Sequence, residues 1–220
     1  MVSGCDNMMP SAVLRERTLA EHRRHSVGEA ALKQEWTLET FLVWERDQPE
    51  RWEFVGGQPR AMTGGSEAHD TIGGNIRAFL KFKLKGSDCR SQGPDLKVLT
   101  GMGTGRYPDA IINCAPPDPK GDVAQNPVVV FEVLSDSTKA KDFNEKFDEY
   151  GTTPAIRQYV LVFQDEIRVK VYRREGGALL LDRVSTNLED RIDLTVGASL
   201  SMSEIYDDIT LAMKDQTARP

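Results

Sequence analysis

The fold is decided by residues 107–150, which read YPDAIINCAPPDPKGDVAQNPVVVFEVLSDSTKAKDFNEKFDEY. Asp109 begins the apolar run AII, and Glu132 interrupts the longer apolar run VVVFEVL. A carboxylate inside a buried strand is costly unless another group pairs with it, and the helix-like segment that follows supplies a candidate in Lys146. Two acids on adjacent strands with a lysine are typical of a hydrolase that holds a divalent cation to cut phosphodiesters.

The apolar spacing on both sides of this stretch predicts further helices and strands. A helix over Trp36–Glu50, capped by Thr37, precedes a hairpin that turns at Gly56-Gly57, and Ser66 caps a second helix. The sequence GMGTG lacks the lysine and the following serine or threonine of a phosphate-binding P-loop, so we expect it to join two strands. The other predicted elements are strands over Asp95–Leu99, Tyr107–Cys114, Val128–Leu134, Ile156–Phe163, Ile167–Arg173, Ala178–Val184 and Arg191–Leu194, and helices over Lys139–Tyr150 and Ser203–Ile209.

The length of 220 residues indicates one domain with a full core over residues 36–220, preceded by a polar arm over residues 1–35 that is helical or poorly ordered. The net charge of −6 argues against nucleic-acid binding through overall charge, but it is compatible with a local basic groove. No apolar run reaches membrane-spanning length, so we expect a cytoplasmic protein. The three cysteines, Cys5, Cys89 and Cys114, show no CxxC spacing, which favours reduced thiols over a disulfide or a zinc site.

Asp109 and Glu132 have the chemistry of ligands for a hard divalent cation. Mg²⁺ prefers oxygen ligands, takes one or two carboxylates and keeps several waters, and the backbone carbonyl of Val133 can add a third protein oxygen. A nearby ammonium such as that of Lys146 can orient the attacking water or stabilise the charge that develops on the phosphate. The residues therefore predict a Mg²⁺ site, in which Mn²⁺ is able to replace Mg²⁺.

Several motifs along the chain resemble the Uma-two family, which belongs to the PD-(D/E)XK, or restriction-endonuclease-like, superfamily. The motifs are Glu-x-x-Gly-Gly from Glu53, Tyr-Pro-Asp at Tyr107–Asp109, Glu-Val-Leu-Ser-Asp-Ser-Thr at Glu132–Thr138, and then Asp142, Lys146 and Tyr150. The resemblance covers Trp36 to Ile209, and its most specific part is the run from Glu132 to Tyr150.

The resemblance implies an α/β fold with a restriction-endonuclease-like core, in which α-helices flank a central mixed β-sheet. It also implies a metal-dependent endonuclease that hydrolyses phosphodiester bonds in DNA and, by analogy, a homodimer. Asp109 and Glu132 take the metal-ligand positions, and Glu53 looks like a further acid that holds the metal through water. The lysine of the superfamily stands two residues after the second acid, where this chain has Leu134, so Lys146 on the next helix is its natural replacement.

The assignments from the motifs have structural alternatives. Asp109 and Glu132 are compatible with structural carboxylates that backbone donors satisfy. Lys146 is compatible with an ordinary helix-surface pair to Asp142, which stands four residues earlier.

Three polar side chains are candidates for lining the site: His69, Gln158 and Asp142. A histidine near the start of a helix, such as His69, more often caps or packs than catalyses. Gln158 lies on the strand that follows the helix, and we assign Tyr150 to the core.

Two other functions stay open at this level. The first is a non-catalytic nucleic-acid- or protein-binding module that keeps the nuclease fold, which the acidic net charge favours slightly. The second is a metal-dependent hydrolase of another phosphate ester. Metal-dependent cleavage of a duplex would exclude the first, and competition between substrates would test the second.

Overall fold

The computed structural model of the chain describes residues 35–134 and 141–210, and the side chains of Lys141 and Asp142 lie outside that description. The predicted polar arm over residues 1–35 therefore lies outside the described residues, apart from its last position. The same holds for the side chain of Asp142 as a site-lining group.

The described residues form four α-helices and twelve β-strands. The helices are α1 (Leu38–Glu45), α2 (Glu67–Lys83), α3 (Lys141–Gly151) and α4 (Met202–Ile205). The strands are β1 (Trp52–Val55), β2 (Gln58–Ala61), β3 (Arg90–Gln92), β4 (Val98–Leu99), β5 (Gly105–Arg106), β6 (Ala110–Asn113), β7 (Pro127–Leu134), β8 (Gln158–Phe163), β9 (Val169–Glu175), β10 (Ala178–Ser185), β11 (Arg191–Asp193) and β12 (Ser199–Ser201).

A six-stranded mixed sheet forms the centre of the molecule, with the strand order β10-β9-β8-β7-β6-β3. Strands β7 and β8 are parallel, and the other neighbours in this sheet are antiparallel. All eight residues of β7 are buried, as expected for a strand that is covered on both faces. The chain thus has the α/β fold with a central mixed sheet flanked by helices that the sequence predicts.

Different helices cover the two faces of the central sheet. On one face, α2 and the C-terminal segment from β11 to α4 pack on a cluster that includes Ile76, Phe131 and Leu200. On the other face, α3 packs through Tyr150, with Phe143 and Phe147 beside it. Because side chains alternate along a strand, Val133 faces α2 and Glu132 faces α3.

A smaller four-stranded sheet, with the order β2-β1-β5-β4, lies under α1. Helix α1 begins after Thr37, whose side chain accepts a hydrogen bond from the Thr40 amide in a capping box. The GMGTG sequence joins β4 to β5, which confirms that it is a connection between strands. Helix α1 ends at Glu45 rather than at Glu50, because Pro49 disfavours helix in the residues just before it.

Four predicted strands are shorter in the structure, and two of them lose several residues. The strand predicted over Tyr107–Cys114 begins only at Ala110, because Pro108 has no amide hydrogen and the amide of Tyr107 donates to a side chain. The strand predicted over Asp95–Leu99 is limited to its last two residues, since Leu96 closes a turn. Strands β3 and β12 escaped prediction because RSQ and SLS are too short and polar to show a pattern.

The prediction of reduced thiols is wrong for two of the three cysteines, because Cys89 and Cys114 form a disulfide. Strands β3 and β6 pair with Arg90 opposite Asn113, so the next residue outward on each strand is a cysteine. Register, which the spacing of the cysteines in the sequence does not reveal, brings the two thiols together. No helix among the described residues is long and apolar enough to cross a membrane.

Candidate active site

The register between β6 and β7 brings the two predicted acids together. Ala110 pairs with Phe131 in an antiparallel arrangement, so the next residues along each strand, Asp109 and Glu132, meet at the same edge of the sheet. The Val133 amide donates a hydrogen bond of 2.7 Å to Oδ2 of Asp109, which fixes this carboxylate against β7. The backbone around both acids is therefore held by the central sheet.

Helix α2 holds Asp109 from the other side. His69 lies in the first turn of α2, where the Ser66 side chain caps the helix by accepting from the His69 amide. Its Nε2 is 2.8 Å from Oδ1 of Asp109. Nη1 of Arg77, two turns further along α2, donates to the backbone carbonyl of Asp109 at 2.9 Å. Both carboxylate oxygens of Asp109 thus have partners within the protein.

Helix α3 supplies both partners of Glu132. Nζ of Lys146 lies 2.8 Å from Oε2 of Glu132, and the Tyr150 hydroxyl donates to Oε1 at 2.8 Å. Lys146 and Tyr150 are four residues apart, so they project from the same face of α3. The structure therefore brings Lys146 to the second acid. It also shows that Tyr150, whose ring is buried in the core as predicted, bonds to the site through its hydroxyl.

The charges at the site are not fully balanced. Burial raises the pKa of Glu132 to about 7, with the charges of Asp109 and Glu53 adding to the rise and Lys146 opposing it. The hydrogen bond to Asp109 raises the pKa of His69 above its usual value, although burial acts in the opposite direction. Two neighbouring carboxylates in a buried place form a site that attracts a further cation.

A buried arginine links Glu53 to α3. The side chain of Arg106 is 0% exposed, and its Nε and Nη2 donate to both oxygens of Glu149 at 2.6 and 2.8 Å. Its Nη1 donates to Oε2 of Glu53 at 2.8 Å, and the other oxygen of Glu53 accepts from the Tyr107 amide at 3.3 Å. Both oxygens of Glu53 thus have protein partners, and its negative charge contributes to the raised pKa of Glu132.

The tyrosine of the Tyr-Pro-Asp motif belongs to a second buried network. Its hydroxyl donates to Oε1 of Glu45 at 2.7 Å and accepts from Nζ of Lys97 at 3.0 Å. The side chains of Lys97 and Glu45 are each 2% exposed, and Nζ of Lys97 lies 2.6 Å from Oε2 of Glu45. Tyr107 thus anchors the chain two residues before Asp109 to α1 and the small sheet.

The structure brings five of the predicted site residues together, joins Glu53 to α3 through Arg106 and places Gln158 elsewhere. Asp109, Glu132, Val133, Lys146 and His69 meet at one edge of the central sheet. Gln158 lies elsewhere, because it pairs with Val129 at the opposite end of β7 and binds the segment after β11, through the Asp193 carbonyl and the Thr195 amide.

Sequence reasoning missed the roles of Arg106, Glu149 and the Tyr150 hydroxyl. Arg106 stands directly before the Tyr-Pro-Asp motif, and Glu149 stands next to Tyr150 in the chain. Their positions beside motif residues were the signal that could have indicated them.

The donor set at the acid pair fits Mg²⁺ only as an ion that keeps most of its water. No group of three or more His, Cys, Asp or Glu side chains among the described residues is arranged to hold a metal. Mg²⁺ commonly binds through one or two carboxylates and several waters, and two carboxylates are what this site offers. The raised pKa of Glu132 is consistent with a place where a cation would relieve repulsion between the acids.

The fold, with one acid directly before β6 and the other on β7, is that of a restriction-endonuclease-like protein. A sequence model of the Uma2 family, whose description is "Putative restriction endonuclease", matches residues 38–206, and the chain belongs to this family. This membership supports a nuclease-like function in general terms.

Two relatives and one solved structure are similar to this chain. "Uncharacterized protein slr1290" from Synechocystis sp. is 34% identical over 174 residues, which cover 76% of this chain and 90% of the relative. A second Synechocystis protein, "Uncharacterized protein sll1609", is 27% identical over 159 residues, covering 70% of this chain and 90% of its own length. The crystal structure of "a putative nuclease belonging to DUF820" from Anabaena variabilis shares the fold, with a TM-score of 0.62 at 18% identity over 77% of this chain and 97% of that chain.

Proposed function

We propose that this protein is a metal-dependent endonuclease that hydrolyses phosphodiester bonds in DNA, with Mg²⁺ as the cofactor and Mn²⁺ as a substitute. The observation that carries the proposal is the meeting of Asp109 and Glu132 at one edge of the sheet, with the Lys146 ammonium 2.8 Å from Glu132. Membership of the Uma2 family supports the same reaction class.

The acids and the neighbouring backbone would hold the metal. Asp109 and Glu132 supply carboxylate oxygens, and Val133, whose amide already binds Asp109, supplies its carbonyl oxygen. A bound Mg²⁺ offsets the negative charge of the reacting phosphate and lowers the pKa of an attacking water. Glu53 adds negative charge near Glu132 and influences the metal through that charge or through water.

The surrounding side chains orient the acids and stabilise charge. Lys146 is the cation that stabilises the phosphorane oxygens as negative charge develops on them. His69 holds Asp109 from α2, and the Tyr150 hydroxyl holds Glu132 from α3. Fixed hydrogen bonds of this kind keep reacting groups in place, so that little reorganisation is needed during the reaction.

Plasmid nicking at low salt, with Mg²⁺ or Mn²⁺ added, tests the proposal. Asp109→Asn and Glu132→Gln should lose both nicking and Mn²⁺ binding by calorimetry, because each removes one of the two anionic ligands. Lys146→Met should lower nicking by about 10²-fold or more and leave Mn²⁺ binding in place. Lys81→Met, at an exposed position on α2, is the matched control and should behave like wild type.

A folded wild-type protein that neither binds the metal nor nicks DNA would overturn the proposal. The working hypothesis would then be the alternative predicted from the sequence, a non-catalytic nucleic-acid- or protein-binding module that keeps the nuclease fold. Nicking that a small phosphodiester suppresses by competing for the site would favour the other rival, a hydrolase of different phosphate esters.

We also propose that two copies associate, since a homodimer would place two such sites on opposite strands of a duplex. Light scattering of the purified protein should then give twice the mass of one chain, and a monomeric mass would contradict it.

We place the activity in the cytoplasm. Structural disulfides are uncommon there, so a Cys89–Cys114 disulfide that is already formed in intact cells would count against this location.

A further inference from the structure

Strand β9 brings a lysine to the same face of the central sheet as Glu132, in the same row of residues. Glu132 on β7 pairs with Leu161 on β8, and Leu161 pairs with Lys170 on β9, so the three residues form one row across three strands. Adjacent strands are just under 5 Å apart, which places the backbone of Lys170 about 10 Å from that of Glu132.

The side chains of this row point to the face that α3 covers. Leu161 belongs to the cluster under α3, and so does Tyr172, which stands two residues after Lys170 on β9. Because side chains alternate along a strand, Lys170 shares the face of Tyr172, just as Glu132 shares the face of Leu134. Lys170 and Glu132 therefore lie on the same side of the sheet, and Asp109 lies beside Glu132.

Two cationic side chains lie against one aromatic ring at this end of the strands. Nζ of Lys170 lies 5.6 Å from the centre of the Phe163 ring, and Cζ of Arg168 lies 5.4 Å from it. Arg168 also pairs with Glu166 at 2.9 Å, which offsets part of its charge. Lys170 forms no ion pair within the part of the chain that the structure describes, so no described carboxylate neutralises its charge at ion-pair distance.

A chain with a net charge of −6 and two carboxylates at its centre repels a polyanion unless cations lie nearby. We propose that Lys170, supported by Arg168, forms a phosphate-binding subsite that holds the DNA backbone beside the acids. The inference rests on the proposed nuclease function. Successive phosphates advance about 3.4 Å along the axis of each strand, so a phosphate roughly one to three nucleotides from the reacting one would reach Lys170.

Binding to a 20-base-pair duplex in the presence of EDTA tests the subsite without the metal or the reaction. Anisotropy of a labelled duplex should show Lys170→Gln binding about 3–10-fold more weakly than wild type at low salt, and the slope of log K against log salt should fall by about one. Lys170→Arg should restore binding, because a phosphate contact needs the charge. Lys81→Gln makes the same charge change on an exposed part of α2 and should leave affinity unchanged.

Cleavage kinetics then separate this subsite from the reacting centre. Lys170→Gln should raise KM and leave kcat and the Mn²⁺ affinity close to wild type, whereas loss of Lys146 lowers kcat. If the wild type binds and cuts DNA and Lys170→Gln matches Lys81→Gln in affinity and KM, the subsite is refuted while the nuclease function stands. If the folded wild type neither binds nor cuts DNA, the proposed function fails and the subsite fails with it.

Discussion

The residue on which the candidate site most depends is Glu132, a buried carboxylate with two donors from α3. Lys146 neutralises one of its oxygens and Tyr150 donates to the other, yet burial still raises its pKa to about 7. Burial is the main cause of this raised pKa, and the negative charge of Asp109 close by adds to it. Such a residue costs stability at neutral pH and is useful where a cation binds.

The raised pKa of Glu132 predicts how stability depends on pH. Between about pH 4.5 and 7 the folded state holds a proton on Glu132 that the unfolded state has released, so the stability gained from this proton is lost as pH rises through that window. The free energy of unfolding, measured by urea titration without metal, should therefore fall by about 1–3 kcal/mol more in wild type than in Glu132→Gln between pH 5 and 8. Glu189→Gln, at an exposed position, should keep the wild-type pH profile. Parallel profiles for Glu132→Gln and wild type would contradict the assignment.

At the scale of elements, β1, β5 and α3 are tied together by one buried guanidinium. Arg106 on β5 binds Glu53 on β1 and both oxygens of Glu149 on α3, and it is 0% exposed. The planar donor fork of arginine suits this two-oxygen contact, which a lysine could not reproduce. Since α3 also carries Lys146, the same network fixes the helix that supplies the site with its cation.

Arg106→Met should therefore destabilise the protein strongly, because it leaves two buried carboxylates without a counter-charge. We expect a loss of about 3–5 kcal/mol in the free energy of unfolding, measured by urea titration. Arg51→Met removes an ion pair to Asp95 in which both side chains are more than half exposed, and it should cost less than about 1 kcal/mol. A loss of similar size in the two variants would refute a structural role for the buried network.

At the scale of the whole molecule, the disulfide between Cys89 and Cys114 cross-links the outer strand β3 of the central sheet to its neighbour β6. Cys114 directly follows the last residue of β6, and Asp109 directly precedes its first residue. The two cysteines are 25 residues apart in the chain. A cross-link that closes a loop of this length lowers the conformational entropy of the unfolded chain. The native state is typically stabilised by about 3 kcal/mol as a result.

Reduction should accordingly lower the melting temperature, and Cys89→Ala with Cys114→Ala should do so without a reductant. Cys5→Ala is the matched control, because it removes a cysteine and leaves this disulfide intact. Titration of the denatured, unreduced chain with a thiol reagent should find one free thiol out of three. Three free thiols in protein purified without reductant would contradict the disulfide.

Much of the fold could be predicted because its signals are local. The cap at Thr37, the turn at Gly56-Gly57 and the continuous apolar run of β7 each depend on residues that are neighbours in the chain. Strands β3 and β12 could not be predicted, because RSQ and SLS have no apolar pattern of their own and become strands only by pairing with β6 and β11. The wrong placement of Gln158 at the site has a similar cause. Its distance from the acids is set by the parallel register between β7 and β8, which the sequence does not reveal.

By itself the sequence determined the α/β class, the two acids, and the helix that carries Lys146, because motif spacing and apolar periodicity are written along the chain. The tertiary structure alone decided which groups contact each other. Lys146 and Tyr150 bind Glu132, His69 binds Asp109, and Cys89 forms a disulfide with Cys114. The physical reason is that charge compensation and thiol pairing act over a few ångströms in space. Strand register and helix packing, rather than distance along the chain, determine which residues come that close.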